Sequence, residues 1–589
     1  MVSSHLRFQS LPRRIIATVL WHLQRTGTSR VHTRNGLFSR RSALALLHTC
    51  RRWRSEVLAL MCSEFEITVP AHGGTPQGEF RRWPLDLPQP DSACFSLVRS
   101  VSIDADYGSI FTGAAVRAMH AVWKQPVFQR AADLRLTITH SHSGDDILMH
   151  DYDGHAQAFA RSIRAMVPAV HSVSVRYAAY ARVDEMPADR SLNALLAAMF
   201  RGSRYSALAI AYNDFAHAYQ PQVAHALTRI QCCWDEGYHR VVPLLHASAG
   251  SLADLRLACH GVARRALSQL FVDAHGQYVG YSSLQRLAFE DAASWGPLYQ
   301  QEDPASWERL FRSTLPSAVF VPRLRHLRLG MPYPFCDDIL FRGNAATLET
   351  LWLTPTLPFL HMMEQYGVFA RSAYPRLRRI TLAPYSHYVS DRTDVGVCAD
   401  AAGRDAELAA AAAQFVHRAS PRVQAVDIRE GAAGAKLVCA MVQSTQMAAL
   451  RALHIPRTAL TLTDIVTLLQ ALPRLAALHC VSGGVGDEFE GVSHAKLAAY
   501  MHHTYYPLSS AFRQWGIASD ARAPIDDPRA VADMAACTLL LSVMCPVFVR
   551  AQVPKSHANA YNSVIRRAIA RNPADRFVRN MRRLLLPVE

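Results

Sequence analysis

The sequence predicts an α/β solenoid, in which short parallel strands alternate with helices and stack along one axis. Three observations support this fold class. One apolar motif recurs along most of the chain, prolines precede several of its copies, and helix-like stretches lie between them. At 589 residues the chain is also too long for one ordinary core. Stacked repeats resolve this difficulty because they spread the core along the axis.

The recurring motif has apolar residues at its first, fourth and sixth positions, as in Leu324, Leu327 and Leu329. The fourth and sixth residues point to one face of a strand, and the residues between them point to the other face. The clearest copies lie between residues 284 and 480. Twelve copies, 24 to 47 residues apart, begin at Val98, Ala131, Val170, Tyr205, Leu252, Leu284, Leu324, Leu348, Leu377, Val423, Leu450 and Leu475.

The residues around the motif also favour a stack of parallel strands. A proline two residues before a copy would end the preceding helix and begin an extended segment. Such prolines are Pro168, Pro322, Pro375, Pro421 and Pro473. Helical spacing of apolar residues marks 155–166, 191–200, 307–315 and 464–472. Chance matches in a hydrophobic α/β protein are the alternative, but the repeated proline–arginine lead-in favours a solenoid over residues 90–485.

The composition limits the classes of partner. The formal net charge is +16, but only four of the basic residues are lysines, so an arginine bias accounts for most of the charge. No nucleic-acid-reading motif accompanies this bias, and we expect no nucleic-acid partner. The longest apolar run, 537–549, contains Pro546 and is shorter than the roughly 20 residues that span a bilayer. We therefore expect a buried helix there and no membrane span.

The cysteines indicate the compartment. The chain has 12 cysteines, scattered and without a CxxC pair, which is typical of reduced thiols in an intracellular protein. We expect a cytoplasmic or nuclear location, or both.

The N-terminus predicts two helices with apolar stripes, one within 10–23 and one over Ala43–Met61. Residues 1–55 also hold eleven arginines and no acid, a composition found in mitochondrial presequences. A presequence would not require Cys50 and Trp53 at their spacing on the second helix. From composition alone, both a two-helix module and a mitochondrial presequence remain open.

The segment from Leu11 to Leu23 resembles the LPxxIxxxILxxL opening of an F-box. Leu47, Cys50 and Trp53, with Arg52 and Arg54, resemble its second conserved helix. With the irregular repeats, the chain is similar to fungal F-box and leucine-rich-repeat proteins. The resemblance implies an F-box-like helical module at 1–65, an irregular leucine-rich-repeat-like solenoid and a C-terminal helical cap at 486–589. It also implies that the module binds a Skp-type adaptor, and through it a cullin-RING ligase, with Leu11, Pro12, Ile15, Ile16, Leu20, Cys50 and Trp53.

The candidate partner-binding residues lie between the apolar positions of the middle repeats, on the face that is concave in leucine-rich-repeat solenoids. At the two outward positions of four copies stand Arg286, Ala288, His326, Arg328, Thr350, Trp352, Arg379 and Thr381, with no acid among them. Arginine and tryptophan are frequent at interface hot spots. We therefore predict that Arg286, His326, Arg328, Trp352 and Arg379 bind a protein substrate, acidic or phosphorylated.

Motifs for chemistry are missing from the sequence, which contains no GxSxG, no HExxH and no Walker lysine. The histidines and aspartates of 140–155 match no zinc or calcium spacing. We expect no enzymatic activity, no cofactor and no metal. The resulting hypothesis is a substrate-recognition subunit of a Skp–cullin–F-box ubiquitin ligase. The alternative is a repeat-based interaction scaffold with a degenerate F-box and no ligase role.

Overall fold

The chain divides into two compact units, Met1–Val279 and Gly280–Glu589. A computed structural model describes much of residues 51–571 and a few isolated residues between its main ranges. These ranges are 51–70, 77–81, 92–122, 128–140, 152–179, 205–210, 227–234, 238–259, 269–273, 275–291, 321–330, 346–354, 374–383, 422–428, 447–485, 508–518, 528–545, 550–553 and 557–571.

The described part of the first unit contains a ladder of eight strands, in the spatial order β2-β1-β3-β4-β5-β6-β7-β8. The hairpin partner β2 is antiparallel to β1, and every other pair is parallel. The strands are β1 (Glu64–Val69), β2 (Gln77–Phe80), β3 (Ser100–Asp106), β4 (Asp133–His140), β5 (Ser172–Ala179), β6 (Ala207–Ile210), β7 (Arg229–Trp234) and β8 (Asp254–Cys259). The helices are α1 (Arg51–Met61), α2 (Tyr107–Phe111), α3 (Ala114–Val122), α4 (Tyr152–Met166) and α5 (Tyr238–Ser248), with a 3-10 helix at Ser92–Leu97.

The described part of the second unit contains a ladder of nine strands, in which consecutive strands pair in parallel. The strands are β9 (Arg286–Asp291), β10 (His326–Gly330), β11 (Thr350–Leu353), β12 (Arg379–Leu382), β13 (Ala425–Ile428), β14 (Ala452–Leu460), β15 (Ala477–Ser482), β16 (Gln514–Ala518) and β17 (Arg550–Gln552). The described helices are α6 (Leu462–Ala471), α7 (Pro528–Met544) and α8 (Ala558–Arg571). The mixed α/β class with parallel strands is therefore confirmed.

All twelve motif copies coincide with described strands. In the copy that begins at Leu324, this residue is buried just before β10, and Leu327 and Leu329 are buried within it. The residues between them, including Arg328, are only partly covered. This alternation follows from the two-residue period of a strand that has one face on an apolar core.

Four parallel strands carry the motif in forms that the sequence analysis missed. Each has cysteine, alanine or an aromatic side chain at one or two of its three apolar positions. These are Cys62, Phe65 and Ile67 for β1; Leu227, Ile230 and Cys232 for β7; Phe512, Trp515 and Ile517 for β16; and Phe548, Ala551 and Val553 for β17. Strands therefore lie outside the predicted solenoid of 90–485, and the segment 486–589, predicted as a helical cap, holds two of them as well as helices.

The described helices support several predictions. Helix α4 covers the predicted stretch 155–166, and α6 covers nearly all of 464–472. Helix α7 contains most of the apolar run from Cys537 and buries it, with Leu540 and Leu541 nearly inaccessible. Within the described residues, no helix has both the length and the apolar character needed to cross a bilayer. The predicted helix 307–315 lies outside the described residues.

Candidate functional site

The partner-binding residues predicted from the sequence lie side by side on β9–β12. His326 of β10 is paired with Arg286 of β9 and Thr350 of β11, and Thr350 is paired with Arg379 of β12. The second row runs Ala288, Arg328, Trp352 and Thr381 in the same strand order, and its last member, Thr381, is buried. We call the outward side of β9–β16 the strand face. The ladder register therefore joins residues from four distant segments of the chain into one surface.

Arg328 is at the centre of this surface. Its guanidinium lies over the Trp352 ring, 4.0 Å from the ring centroid, and its Nη1 is 3.1 Å from Glu290 Oε1. The Nε atom of Arg328 is buried without a hydrogen-bond partner. Cation–π attraction and an ion pair therefore act on the same guanidinium and hold it over the indole. The Arg328 side chain as a whole, 43% exposed, remains partly accessible to a partner above the indole.

Glu290 adds a negative charge to a patch that the sequence predicted to contain no acid. None of the eight residues is acidic, but Glu290 occupies the next outward position of β9 and supplies a carboxylate to Arg328. Nearby, His326 Nδ1 lies 2.8 Å from Thr350 Oγ1. Arg286 and Arg379, at the two sides of the patch, are exposed. The positive charge available to a partner is therefore at the margins of the patch.

A second polar group continues the same row on β13–β15. Asp427 is paired across the strands with His454, which is paired with His479. The His454 Nδ1 atom is 2.6 Å from Oδ1 of the buried Asp427 carboxyl. An ionised carboxylate can only accept a hydrogen bond, so Nδ1 of His454 donates to it. The rings of His454 and His479 are stacked, with centroids 4.3 Å apart and planes 19° apart.

The stacked histidines differ in their surroundings. Burial, with a smaller contribution from the neighbouring His454, lowers the pKa of His479 to about 4, and Asp427 acts in the opposite direction. His479 is therefore neutral near pH 7, and its Nδ1 is buried without a partner. The partner-binding positions predicted from the sequence end at Thr381 and do not include this group. The same motif position in the copies that begin at Val423, Leu450 and Leu475 would have identified all three residues.

The cysteines near this row are unsuited to nucleophilic chemistry. Burial raises the pKa of the Cys480 thiol to about 12, and Trp515 Nε1 donates a hydrogen bond to its Sγ at 3.4 Å. Burial also raises the pKa of Cys537 to about 12. A thiol with such a pKa has almost no thiolate at neutral pH. The arrangement favours binding through the outward side chains over covalent chemistry.

The histidine-rich stretch predicted to hold no metal is described only at its ends. His140 ends β4 and His155 lies in α4, while 141–151 fall outside the described residues. Across the part of the chain that the structure describes, no group of three or more His, Cys, Asp or Glu residues could hold a metal ion.

Most of the predicted adaptor-binding residues lie outside the described part of the chain. These are Leu11, Pro12, Ile15, Ile16, Leu20 and Cys50. Trp53 lies in α1, which ends at Met61, and two residues separate α1 from β1. Any module that includes α1 therefore connects directly to the first strand ladder.

Comparisons with known proteins add no family. No protein-family model matches the chain, and no curated protein is similar to it in sequence.

Proposed function

We propose that this protein recognises a partner protein through the strand face of its second unit. The observation that carries the proposal is the cluster of Arg328, Trp352 and Glu290, aligned by strand register with the exposed arginines at both sides. An indole covered by a guanidinium offers both apolar area and donors, the combination typical of interface hot spots. The partner would place an apolar or aromatic group on Trp352 and an acidic or phosphorylated group beside Arg286 or Arg379.

We also propose a cellular role, that of substrate-recognition subunit in a Skp–cullin–F-box ubiquitin ligase. Its support is the F-box-like pattern from Leu11 to Trp53, which precedes the first ladder in the chain. On this proposal the chain has no catalytic activity of its own, and other subunits transfer ubiquitin. The degenerate pattern, with Arg13 and Arg14 after the proline, makes a scaffold without a ligase role the alternative.

The experiment is affinity purification of the tagged full-length chain, followed by quantification of the Skp-type adaptor and of other bound proteins. The double variant Pro12→Ala, Trp53→Ala should lose the adaptor and keep the partner. The double variant Trp352→Ala, Arg379→Glu should lose the partner and keep the adaptor. Arg130→Ala, an exposed position of the first unit, serves as the control and should lose neither.

The outcomes separate the two parts of the proposal. A wild-type chain that recovers no adaptor but loses a partner on Trp352→Ala, Arg379→Glu would support the scaffold. Partner recovery unaffected by this double variant would refute the strand-face proposal.

A further inference from the structure

The residues that directly precede the strands of the second unit form a continuous row across the ladder. For each strand from β10 to β16, the residue just before the strand donates its backbone N–H to a carbonyl oxygen. The acceptor belongs to the residue just before the neighbouring, preceding strand, and the N–O distances are 2.7–2.9 Å. We call this the strand-start row, and it contains Gln285, Arg325, Glu349, Arg378, Gln424, Arg451, Ala476 and Arg513. These residues precede the strands, whereas the strand face consists of residues within the strands.

Arginines occupy alternate positions in this row, before β10, β12, β14 and β16. All four, Arg325, Arg378, Arg451 and Arg513, are exposed. Neighbouring strands are about 4.8 Å apart, so these arginines begin about 9.6 Å apart along the edge. Further exposed arginines lie in the preceding segments, Arg323, Arg376, Arg422 and Arg474. Among the described residues of this edge, Glu349 is the one acid, 3.9 Å from Arg325.

The arginine richness of the whole chain does not account for this array. The corresponding row of the first unit is Ser63, Arg99, Ala132, His171, Ser206, Thr228 and Ala253, with a single arginine. The first residues of its strands include the acids Glu64, Asp133 and Asp254. Arg229 there lies 3.3 Å from Asp254. The first unit therefore balances its charges at this edge, and the second unit leaves an excess of cations.

The exposed arginines of the array would bind an anionic ligand through charge and hydrogen bonds. Among the described residues, Tyr278 is the one exposed large apolar side chain, and it lies outside the strand-start row. A platform for stacking nucleobases or inserting into a bilayer is therefore not formed by the described residues here. Guanidinium groups bind carboxylates with paired hydrogen bonds, which makes acidic side chains suitable ligands.

The spacing of the array favours an extended polypeptide. In a polyproline II helix, with three residues per turn and a rise of about 3.1 Å, side chains three residues apart are about 9.3 Å apart on one side. This distance matches the separation of alternate strands. We propose that the strand-start row binds an acidic polypeptide segment that runs across the strands, with carboxylates at every third residue paired with Arg325, Arg378, Arg451 and Arg513. This inference does not depend on the ligase role.

The test is fluorescence anisotropy on the full-length protein at moderate salt. One labelled peptide carries four glutamates at every third position between prolines, and a second carries the same four glutamates in one block. The spaced peptide should bind the wild type about tenfold more tightly, since several exposed pairs of modest strength add only when the spacing matches. Raising the salt concentration should weaken this binding.

Variants assign the binding to the row. The quadruple variant Arg325→Gln, Arg378→Gln, Arg451→Gln, Arg513→Gln should lose about tenfold in affinity for the spaced peptide. The single variant Arg378→Gln should lose part of it, and serves if the quadruple variant does not fold. Arg99→Gln, from the matching row of the first unit, should bind like the wild type. Trp352→Ala should also retain the binding, which separates this inference from the strand-face proposal.

Three results would overturn the inference. One is equal affinity for the spaced and the blocked peptide, and another is an unchanged affinity in the folded Arg378→Gln and quadruple variants. The third is tighter binding of a single-stranded oligothymidylate of equal charge, which would assign the edge to nucleic-acid phosphates.

Discussion

On the strand face of the second unit, the His479 ring is in close contact with residues of both neighbouring strands. The ring of His479 is stacked against His454, and its other neighbour in the row is Gly516 of β16. A Cβ atom at Gly516 would overlap the His479 ring, with the ring Cγ only 3.0 Å away. The glycine is therefore required by a close side-chain approach. Because the ring is held by the stack, it cannot swing away without losing that contact.

We predict that Gly516→Ala destabilises the second unit by about 1–3 kcal/mol, the range for overpacking a fixed site. The measurement is the midpoint of urea unfolding. Gly250→Ala is the control, because a Cβ there meets nothing within 4 Å, and we expect a change below about 0.5 kcal/mol.

The double variant Gly516→Ala, His479→Ala identifies the cause. Removal of the ring should recover most of the loss caused by the alanine at 516, because the two sites are in contact. A Gly516→Ala protein as stable as the control would show that the ring is not fixed.

At the scale of elements, three apolar positions per strand were enough to locate most of the parallel strands from the sequence. The prediction missed β7, whose sixth position is Cys232, and β17, whose fourth is Ala551. Both residues are buried as the motif requires. The copy that begins at Leu475 also has a cysteine, Cys480, at its sixth position, so the β7 copy fits the same criterion. The small side chain of Ala551 gives a weaker apolar signal. Burial depends on the neighbouring strands, and these are known only once the ladder has formed.

The sequence predicted the partner-binding rows only in part. Alternation along a strand placed Arg328 and Trp352 on one face, but it could not show which side chains meet across strands. The pairing of Arg328 with Glu290, and of His454 with Asp427, depends on register between segments that are far apart in sequence. Register is set by the packed core and not by the local pattern.

Helix α6 has a terminus whose stability can be tested directly. The Thr461 hydroxyl accepts a hydrogen bond from the backbone N–H of Asp464, and the Asp464 carboxylate accepts one from the backbone N–H of Thr461. This capping box satisfies two donors at the start of the helix. We predict that Thr461→Ala lowers the free energy of unfolding by about 1 kcal/mol in urea titrations.

Thr467→Ala is the matched control for that experiment. Thr467 is exposed in the same helix, and its hydroxyl bonds to the carbonyl oxygen of Thr463. The control should change stability by less than about 0.5 kcal/mol, since alanine is the better helix former. Equal losses in both variants would mean that the box does not stabilise α6.

At the scale of the whole molecule, stability in a ladder of this kind is shared between neighbours. Within the second unit, β16 is paired with β15 and β17, and its Trp515 is fully buried. Loss of this side chain would therefore weaken a local part of the second unit before the rest of the molecule.

We predict that Trp515→Ala costs about 3–5 kcal/mol, as expected for a large aromatic side chain removed from a core. Amide hydrogen exchange should show faster exchange in β15–β17 than in the wild type, while β3–β5 of the first unit keep their protection. Loss of protection spread evenly over both units would contradict local sharing of stability.

The unequal lengths of the segments that connect the strands affect how the sequence of such a chain can diverge. The connection from β12 to β13 (383–424) is more than twice as long as that from β14 to β15 (461–476), yet both pairs form parallel ladders, the second with one register shift between Ile455 and Ala459. Each doubling of loop length costs only about 0.6 kcal/mol of closure entropy. Insertions and deletions can therefore accumulate between strands while the outward rows keep their order. Descendants of one ancestral chain could then acquire new binding preferences by point substitution on the strands, independently of the changing length of their connections.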